Sequence, residues 1–201
     1  MNSKTQKAIK QLRAIEKLEK EPMRLAAEWD EKWKVLISTI LSAQTRDELT
    51  IKISEIIYKK YPSAKKLGNA KLKDIQKIIR PINFYKTKSK NIKKTARMIS
   101  ENGIPKTLDG LMKFPGVGRK VGNVYLAEAG VDAIGVDTHL SYISKKLGWT
   151  NNHNPHKIEK DLESLFPRKY WRSLNNICVR FGRSYNRKNQ NAILKKIRKK
   201  N

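Results

Sequence analysis

Apolar residues recur at helical spacing along almost the whole chain. Ile9, Leu12, Ile15 and Leu18 repeat every three residues and predict one face of a first helix. The segment 35–41 is nearly all apolar, which predicts a second helix that is buried on most sides. Because no segment shows a convincing strand pattern, the sequence predicts an all-α fold with short connections.

Capping and turn residues mark where further helices begin and end. Thr45 and Glu48 match a capping box and predict the start of a third helix, which Pro62 ends. The other predicted helices, each marked by an apolar stripe or a terminal signal, cover 72–79, about 89–103, 108–114, 119–129, 137–148, a segment that starts at Asn154, and a last segment around 192–197.

The balance of charge narrows the class of partner. The 201 residues include 45 Lys and Arg against 18 Asp and Glu, a net charge of +27. Such an excess destabilises a folded chain unless a polyanion relieves it, and nucleic acid is the partner that explains it best. Charge alone leaves open a cationic ribosome-associated protein or a cell with high internal salt. With 38% apolar residues, the chain is long enough for one domain or two small lobes.

Metal and membrane partners are not expected. Cys178 is the only cysteine in the sequence, and one thiolate does not hold an iron–sulfur cluster or a structural zinc ion. Residues 1–21 are charged throughout, and the longest strongly apolar stretch, 35–43, is far too short to span a bilayer. We therefore expect a soluble, cytoplasmic, nucleoid-associated monomer without a cofactor.

A Pro-Gly-Val-Gly turn between two predicted helices forms the most informative motif, a helix-hairpin-helix. Gly116 and Gly118 let the main chain turn sharply and come close to a partner. The N–H groups at the start of the second helix then face a phosphate, which the helix dipole favours. An ordinary helix–helix turn is the plainer interpretation, but the basic chain favours a DNA-backbone site at Gly116, Val117, Gly118 and Arg119.

Lys120 and Asp137 are the candidate catalytic residues. Lys120 lies in the first turn of the second hairpin helix, where the dipole disfavours a cation and so favours the neutral, nucleophilic amine. Taken alone, Lys120 is more simply one phosphate contact among 45 basic residues. Asp137 is expected to cap the next helix, and a carboxylate held there is also able to deprotonate Lys120 or to stabilise positive charge on a sugar.

Four motifs occur in an order and spacing that characterise one enzyme family. They are Leu-Ser-Ala-Gln-Thr-Arg-Asp (41–47), Asn-Phe-Tyr-Lys-Thr-Lys-Ser-Lys (83–90), Phe-Pro-Gly-Val-Gly-Arg-Lys (114–120) and Val-Asp-Thr-His (136–139). Through them the chain resembles the endonuclease III family of helix-hairpin-helix glycosylases over most of its length.

The resemblance implies an all-α, two-lobed fold with a DNA-binding cleft between the lobes. One lobe is a six-helix barrel at 26–131, which includes the helix-hairpin-helix at 108–129. The other lobe joins 1–25 to 132–201.

The resemblance also implies roles for single residues. Lys120 matches the Schiff-base lysine and Asp137 the catalytic aspartate of a bifunctional glycosylase/lyase. In such an enzyme the lysine displaces the base of a flipped-out nucleotide, and β-elimination then cuts the strand. Gln44 matches the residue that fills the vacated hole, and Phe84 occupies the position of a wedge near the opposite strand. Without the resemblance, these two are more simply a helix-terminal polar residue and a partly buried aromatic.

Two departures from the family pattern stand out. The family usually carries four C-terminal cysteines that hold a [4Fe–4S] cluster, the first of them just after a Gly-Arg pair. Here Asn186 or a neighbour follows the pair at 182–183 and the other cysteines are missing, so the chain is expected to be cluster-free. Asn83 stands where a glycine is common, and because Asn tolerates left-handed dihedral angles, the turn is expected to survive.

Three functions compete. The first is excision of oxidised pyrimidines from double-stranded DNA, with strand cleavage at the resulting abasic site. The second is excision of another lesion, such as mismatched thymine or uracil or an oxidised purine, and the third is DNA binding without catalysis. Relatives that excise mismatched bases tend to lack the lysine, so Lys120 favours lyase chemistry, and its presence together with Asp137 argues against a non-catalytic binder.

Overall fold

The computed structural model describes residues 2–19 and 23–200, and the chain divides into two units. The central unit is Arg24–Ala129, and each of its boundaries lies two residues before the one that the resemblance implies. The terminal unit joins the described residues up to Met23 to those from Gly130 onward. No strand occurs in the described ranges, and the all-α prediction is confirmed.

The helices of the described residues are, in chain order, α1 (Ser3–Glu16), α2 (Lys32–Ser42), α3 (Asp47–Lys60), α4 (Ala64–Asn69), α5 (Leu72–Ile79), α6 (Tyr85–Asn102), α7 (Leu108–Met112), α8 (Arg119–Glu128), α9 (Thr138–Leu147), α10 (Pro155–Leu165), α11 (Trp171–Ser184) and α12 (Arg187–Lys200), with a 3₁₀ turn at Arg168–Tyr170 before α11. None of these helices has the length and apolar character that crossing a membrane requires.

The central unit is organised around α2 and α6. Leu36, Ile37 and Leu41 of α2 and Ile92 and Ala96 of α6 are fully buried, as the nearly all-apolar segment of α2 predicts. The resemblance implies six helices for this stretch, whereas the described residues of the central unit form seven, α2 to α8.

The additional helix is α4, to which the sequence analysis assigns no structure. Ser63 begins α4, because its side chain accepts a hydrogen bond from the N–H of Lys66. Leu67 is fully buried, and Gly68 lets α4 approach α6 so closely that a Cβ there would lie 2.8 Å from the Cα of Arg97. A helix of six residues is too short to produce a periodic apolar pattern.

Two predicted helix starts are wrong. α3 has Arg46 as its N-cap without a side-chain hydrogen bond, so Thr45 does not form a capping box. The hydroxyl of Thr45 instead accepts a hydrogen bond from Lys88. α6 begins directly after Phe84 rather than near Ser89, because Phe84 adopts a left-handed conformation from which the helix starts at once.

The terminal unit has its own core, formed by α1, α9, α10, α11 and α12. Ile9, Leu12 and Ile15 of the predicted first stripe are buried in it, and Leu18, which lies beyond the end of α1, packs against its edge. The predicted end of α9 at Gly148 is confirmed, with a left-handed φ of 75°.

Candidate active site

The hairpin between α7 and α8 combines a constrained glycine with an open one. Gly116 has a φ of 81°, which favours glycine, and a Cβ there would lie 2.9 Å from Nδ2 of Asn91, so the space beside it is also tight. Val117 is buried and anchors the turn. Gly118 is exposed, and a Cβ there would have no heavy atom within 4 Å. The surface beside Gly118 is therefore open to the close approach of a partner.

Lys120 lies in the first turn of α8, whose N-cap is Gly118. A glycine N-cap has no side chain to bond the first-turn N–H groups, which leaves that turn suited to an anion such as a phosphate. Arg119 and Lys120 are the first two residues of the helix, and both are partly exposed. The predicted hairpin residues and the candidate nucleophile thus occupy one helix start.

Gln44 and Phe84 share an unusual main-chain conformation. They are the non-glycine residues with positive φ in the described part of the chain, at 54° and 59°. For a residue with a Cβ, this conformation costs roughly 1–2 kcal/mol. Phe84 is also 64% exposed, so it is not the partly buried aromatic of the simpler interpretation. Asn83, where the family commonly has glycine, does not itself have a positive φ; the left-handed residue of this turn is Phe84.

Asn83 and Lys88 connect the main chain around Gln44 to the segment that carries Phe84. Nδ2 of Asn83 donates to the carbonyl oxygen of Gln44 over 2.6 Å. Nζ of Lys88 donates to the carbonyl oxygens of Leu41 and Ala43, at 2.7 and 2.5 Å. These bonds connect the start of α6 to the connection between α2 and α3, residues 43–46, which we call the Gln44 loop.

Lys88 is a site residue that sequence reasoning misses. Its side chain is buried, with an exposed fraction of 6%, and burial lowers the pKa of its ammonium group to about 8. Lys86 and Lys90, two positions away on either side, are exposed. In the sequence these three lysines are alike, and no apolar pattern distinguishes the buried one.

α6 also supports the hairpin. The hydroxyl of Thr95 donates to the carbonyl oxygen of Pro115 over 3.0 Å, next to Gly116. Thr95 follows Lys88 by two helical turns, about 10 Å along the axis. One helix therefore positions the Gln44 loop, Phe84 and the hairpin within the central unit.

In the terminal unit, Asp137 is the N-cap of α9, as predicted. Its Oδ1 accepts a hydrogen bond of 2.8 Å from the N–H of Leu140, which is fully buried. Upstream, Nδ2 of Asn175 donates to the carbonyl oxygen of Gly135 over 2.7 Å, and Val136 is buried. The carboxylate is thus oriented by the N–H of Leu140 and the main chain before it is held by Asn175, while Asp137 stays partly exposed.

The C-terminal residues do not fit an iron–sulfur cluster. Cys178 is fully buried in α11, and burial, followed by the charge of Asp137, raises the pKa of its thiol. Within the described ranges, no three His, Cys, Asp or Glu side chains are grouped so that they could hold a metal ion. Asn186, at or next to the position where the resemblance places the first cluster cysteine, accepts a hydrogen bond from the N–H of Asn189 just before α12 begins.

α12 is docked on the terminal unit. Leu194 and Ile197 are buried in its core, and Nε2 of Gln190 donates to the carbonyl oxygens of Gly182 and Tyr185, each over 2.7 Å. These carbonyl groups belong to the end of α11, which the side chain of Gln190 therefore caps.

The family model of the HhH-GPD superfamily of base excision DNA repair proteins matches residues 37–168. Endonuclease III of Thermotoga maritima is 37% identical over 155 residues, 75% of this chain and 73% of the relative. Endonuclease III of Bacillus subtilis is 35% identical over 158 residues, 75% of this chain and 71% of the relative.

Solved structures extend the likeness to the fold. A trapped covalent intermediate of endonuclease III with DNA superimposes with a TM-score of 0.82 at 31% identity, covering 92% of this chain and 88% of that one. A thermostable thymine-DNA glycosylase, 18% identical, superimposes with a TM-score of 0.77 and shares the fold, covering 90% of this chain and 86% of that one. The predicted helix-hairpin-helix glycosylase fold is confirmed.

Proposed function

We infer that this chain, which belongs to the HhH-GPD superfamily of base excision DNA repair proteins and is an endonuclease III homologue, is a DNA glycosylase with AP lyase activity. Its net charge of +27 suits a DNA partner, and relatives of the same fold have been solved in complex with DNA. The observation that supports this function most directly is the open first turn of α8, where Gly118 leaves space for a phosphate and Lys120 follows two residues later.

We propose that Lys120 is the nucleophile. Its neutral amine attacks C1′ of a flipped-out nucleotide, a C–N bond to the lysine forms, and the glycosidic C–N bond breaks as the base leaves with a proton. The sugar opens to an imine, which acidifies the C2′ proton. Loss of that proton breaks the C3′–O bond and cuts the strand, and water finally releases Lys120.

We propose that Asp137 assists this chemistry as a fixed carboxylate. Because Oδ1 is held by the N–H of Leu140, the group keeps its orientation without rearranging during the reaction. A negative charge there stabilises the positive charge that develops on the sugar, or accepts a proton from the attacking amine. Gln44 and Phe84 would serve extrusion of the nucleotide, since both are held in strained conformations and Phe84 projects into solvent.

We propose that the lesions this protein excises are oxidised pyrimidines in double-stranded DNA. We also propose that the protein acts as a monomer in the cytoplasm and binds no iron–sulfur cluster. The resemblance of the four motifs supports the lesion class, and the burial of Cys178 supports the absence of a cluster. Iron analysis of the purified protein tests the latter. We expect a colourless, iron-free protein, and a brown preparation with stoichiometric iron would overturn this part of the proposal.

Borohydride trapping tests the function. The parent protein is expected to form a covalent adduct with a duplex that carries an oxidised pyrimidine or an abasic site. Lys120→Ala should keep DNA affinity within a few-fold and form no adduct, because one phosphate contact among many matters little whereas the nucleophile has no substitute. Lys113→Ala, which removes an exposed cation near the hairpin, is the matched control and should trap normally.

Two results would contradict the proposal. An adduct of normal yield in Lys120→Ala would exclude this lysine as the nucleophile. Preferential excision of mismatched thymine, uracil or an oxidised purine over oxidised pyrimidines, in a panel of duplexes that each carry one lesion, would replace the proposed lesion class.

A further inference from the structure

The main chain of the Gln44 loop is held by side chains from outside it. Lys88 donates to carbonyl oxygens on the N-terminal side of Gln44, and it also donates to the hydroxyl of Thr45 over 3.1 Å on the other side. Asn83 donates to the carbonyl oxygen of Gln44 itself. The loop is thus fixed before, at and after the residue that carries the candidate extrusion side chain.

Burying the ammonium group of Lys88 costs free energy, so its contacts with the Gln44 loop are unlike those of a surface lysine. An ammonium group on a side chain that is only 6% exposed loses most of its hydration, and only strong acceptors compensate for that loss. Three oxygen atoms of the Gln44 loop and the end of α2 supply them. Burial lowers the pKa of Lys88 to about 8, but the neutral amine still donates two of these bonds.

The same two side chains flank Phe84. Asn83 is the residue before it, and Lys88 donates to the Gln44 loop from the first turns of the helix that Phe84 begins. A left-handed conformation at a residue with a Cβ persists only where the surroundings fix it. Gln44 and Phe84 both have positive φ, and the side chains of the residue before Phe84 and of Lys88, four residues after it, donate the hydrogen bonds that hold the main chain around Gln44.

We propose that Asn83 and Lys88 are positioning residues that hold the Gln44 loop against the start of α6, so that Gln44 and Phe84 enter a duplex as one preorganised unit. The role in extrusion rests on the proposed function, whereas the holding of the loop does not. Preorganisation matters because a side chain that must first be ordered loses part of its interaction free energy. In this role both residues act only through the segment 41–45, so cleavage of a pre-formed abasic site should not depend on them.

Hydrogen–deuterium exchange tests the holding of the loop. Asn83→Ala and Lys88→Met should each raise the exchange rate of a peptide that covers 41–47. Lys90→Met, which removes the same charge from an exposed position on α6, should leave it unchanged. Asn83 is exposed, so its alanine variant is expected to fold even if Lys88→Met does not. Unchanged exchange in Asn83→Ala would overturn the proposal.

Single-turnover kinetics test whether holding the Gln44 loop speeds extrusion of the damaged nucleotide. Asn83→Ala should slow excision of thymine glycol from a duplex about tenfold, the equivalent of one missing hydrogen bond. It should leave cleavage of a pre-formed abasic site within about twofold, because no stacked base has to be extruded there. In a Gln44→Ala background, Asn83→Ala should cause little further reduction in rate, since its effect passes through the same loop.

The outcomes separate this inference from the proposed function. Equal slowing on both substrates, or fully additive effects of Asn83→Ala and Gln44→Ala, would overturn the positioning role while excision and cleavage by the parent protein stand. A parent protein that excises no base would overturn the proposed function, and the exchange experiment would still decide whether the loop is held.

Discussion

Gly182 in α11 faces the imidazole of His139 in α9, and a Cβ on this glycine would overlap the ring. His139 lies two residues after Asp137, in the first turn of α9. The close approach of α11 therefore fixes the part of α9 that begins with the candidate catalytic carboxylate. In the sequence, Gly182 only marks the position after which the first cluster cysteine would be expected. In the structure, its missing side chain lets α11 pack closely against His139 of α9.

Gly182→Ala is expected to destabilise the terminal unit. The added methyl group forces the His139 ring or one of the two helices to shift, and overpacking of this kind costs about 1–3 kcal/mol. Because α9 carries Asp137, base excision should also slow. Denaturant unfolding and single-turnover excision measure the two effects, and a variant with unchanged stability and rate would show that His139 moves aside without consequence.

Asp137→Asn separates the capping role of this residue from its charge. Asn caps a helix as well as Asp does, so the unfolding free energy should change by less than about 0.5 kcal/mol. The excision rate should fall severely, because the fixed negative charge is removed. Asp137→Ala, which removes both the cap and the charge, should cost about 1 kcal/mol in addition. Equal excision rates in Asp137→Asn and the parent would reduce Asp137 to its capping role.

Long periodic segments were predictable from the sequence, and short or strained ones were not. α2 and α9 carry clear apolar stripes or terminal signals, and both appear where predicted. α4 depends on the Ser63 cap and on contact with α6, and neither leaves a pattern over six residues. The start of α6 depends on the left-handed conformation of Phe84, which could not be predicted because phenylalanine rarely adopts it.

The candidate site shows the same division. Gly116 was predictable, because a turn between two helices demands a residue that tolerates positive φ. The N-cap role of Asp137 was predictable from its residue type and position. Lys88 was not, since its role arises from carbonyl groups more than forty positions away in sequence.

The pKa of Lys88 predicts a pH dependence of stability. Its folded-state pKa is about 8 against an ordinary value of 10.5, so between these pH values the unfolded chain binds a proton that the folded chain does not. The contribution of this site to the unfolding free energy therefore increases as the pH is raised from 8 to 10.5, and it decreases as the pH is lowered back towards 8. The difference in unfolding free energy between the parent and Lys88→Met should move in favour of the parent by about 3 kcal/mol from pH 8 to 10.5.

The matched comparison for this pH dependence is Lys90→Met. Lys90 is exposed on the same helix, so its removal changes the net charge equally without removing a buried amine. Chemical denaturation of all three proteins at several pH values gives the comparison. Parallel pH profiles for the parent and Lys88→Met would contradict the lowered pKa.

The docked face of α12 is expected to contribute to folding. Leu194→Ser should lower the unfolding free energy by about 2–5 kcal/mol, because it leaves a cavity and a polar group in the core of the terminal unit. Ile193→Ser, at a position that is only partly buried, should cost clearly less. Equal melting temperatures for the parent and Leu194→Ser would mean that α12 does not stabilise the unit.

The outward face of α12 is expected to bind DNA phosphates. Lys195, Lys196 and Lys199 are exposed, while the opposite face of the helix is buried in the terminal unit. Replacing all three with Gln should flatten the dependence of log K on log salt concentration by about 0.9 for each phosphate that the protein no longer neutralises. The control replaces Lys71, Lys73 and Lys77, three exposed lysines at the start and along α5, and removes the same charge. If both triple variants change the slope equally, the effect comes from net charge alone, and α12 holds no phosphate of its own.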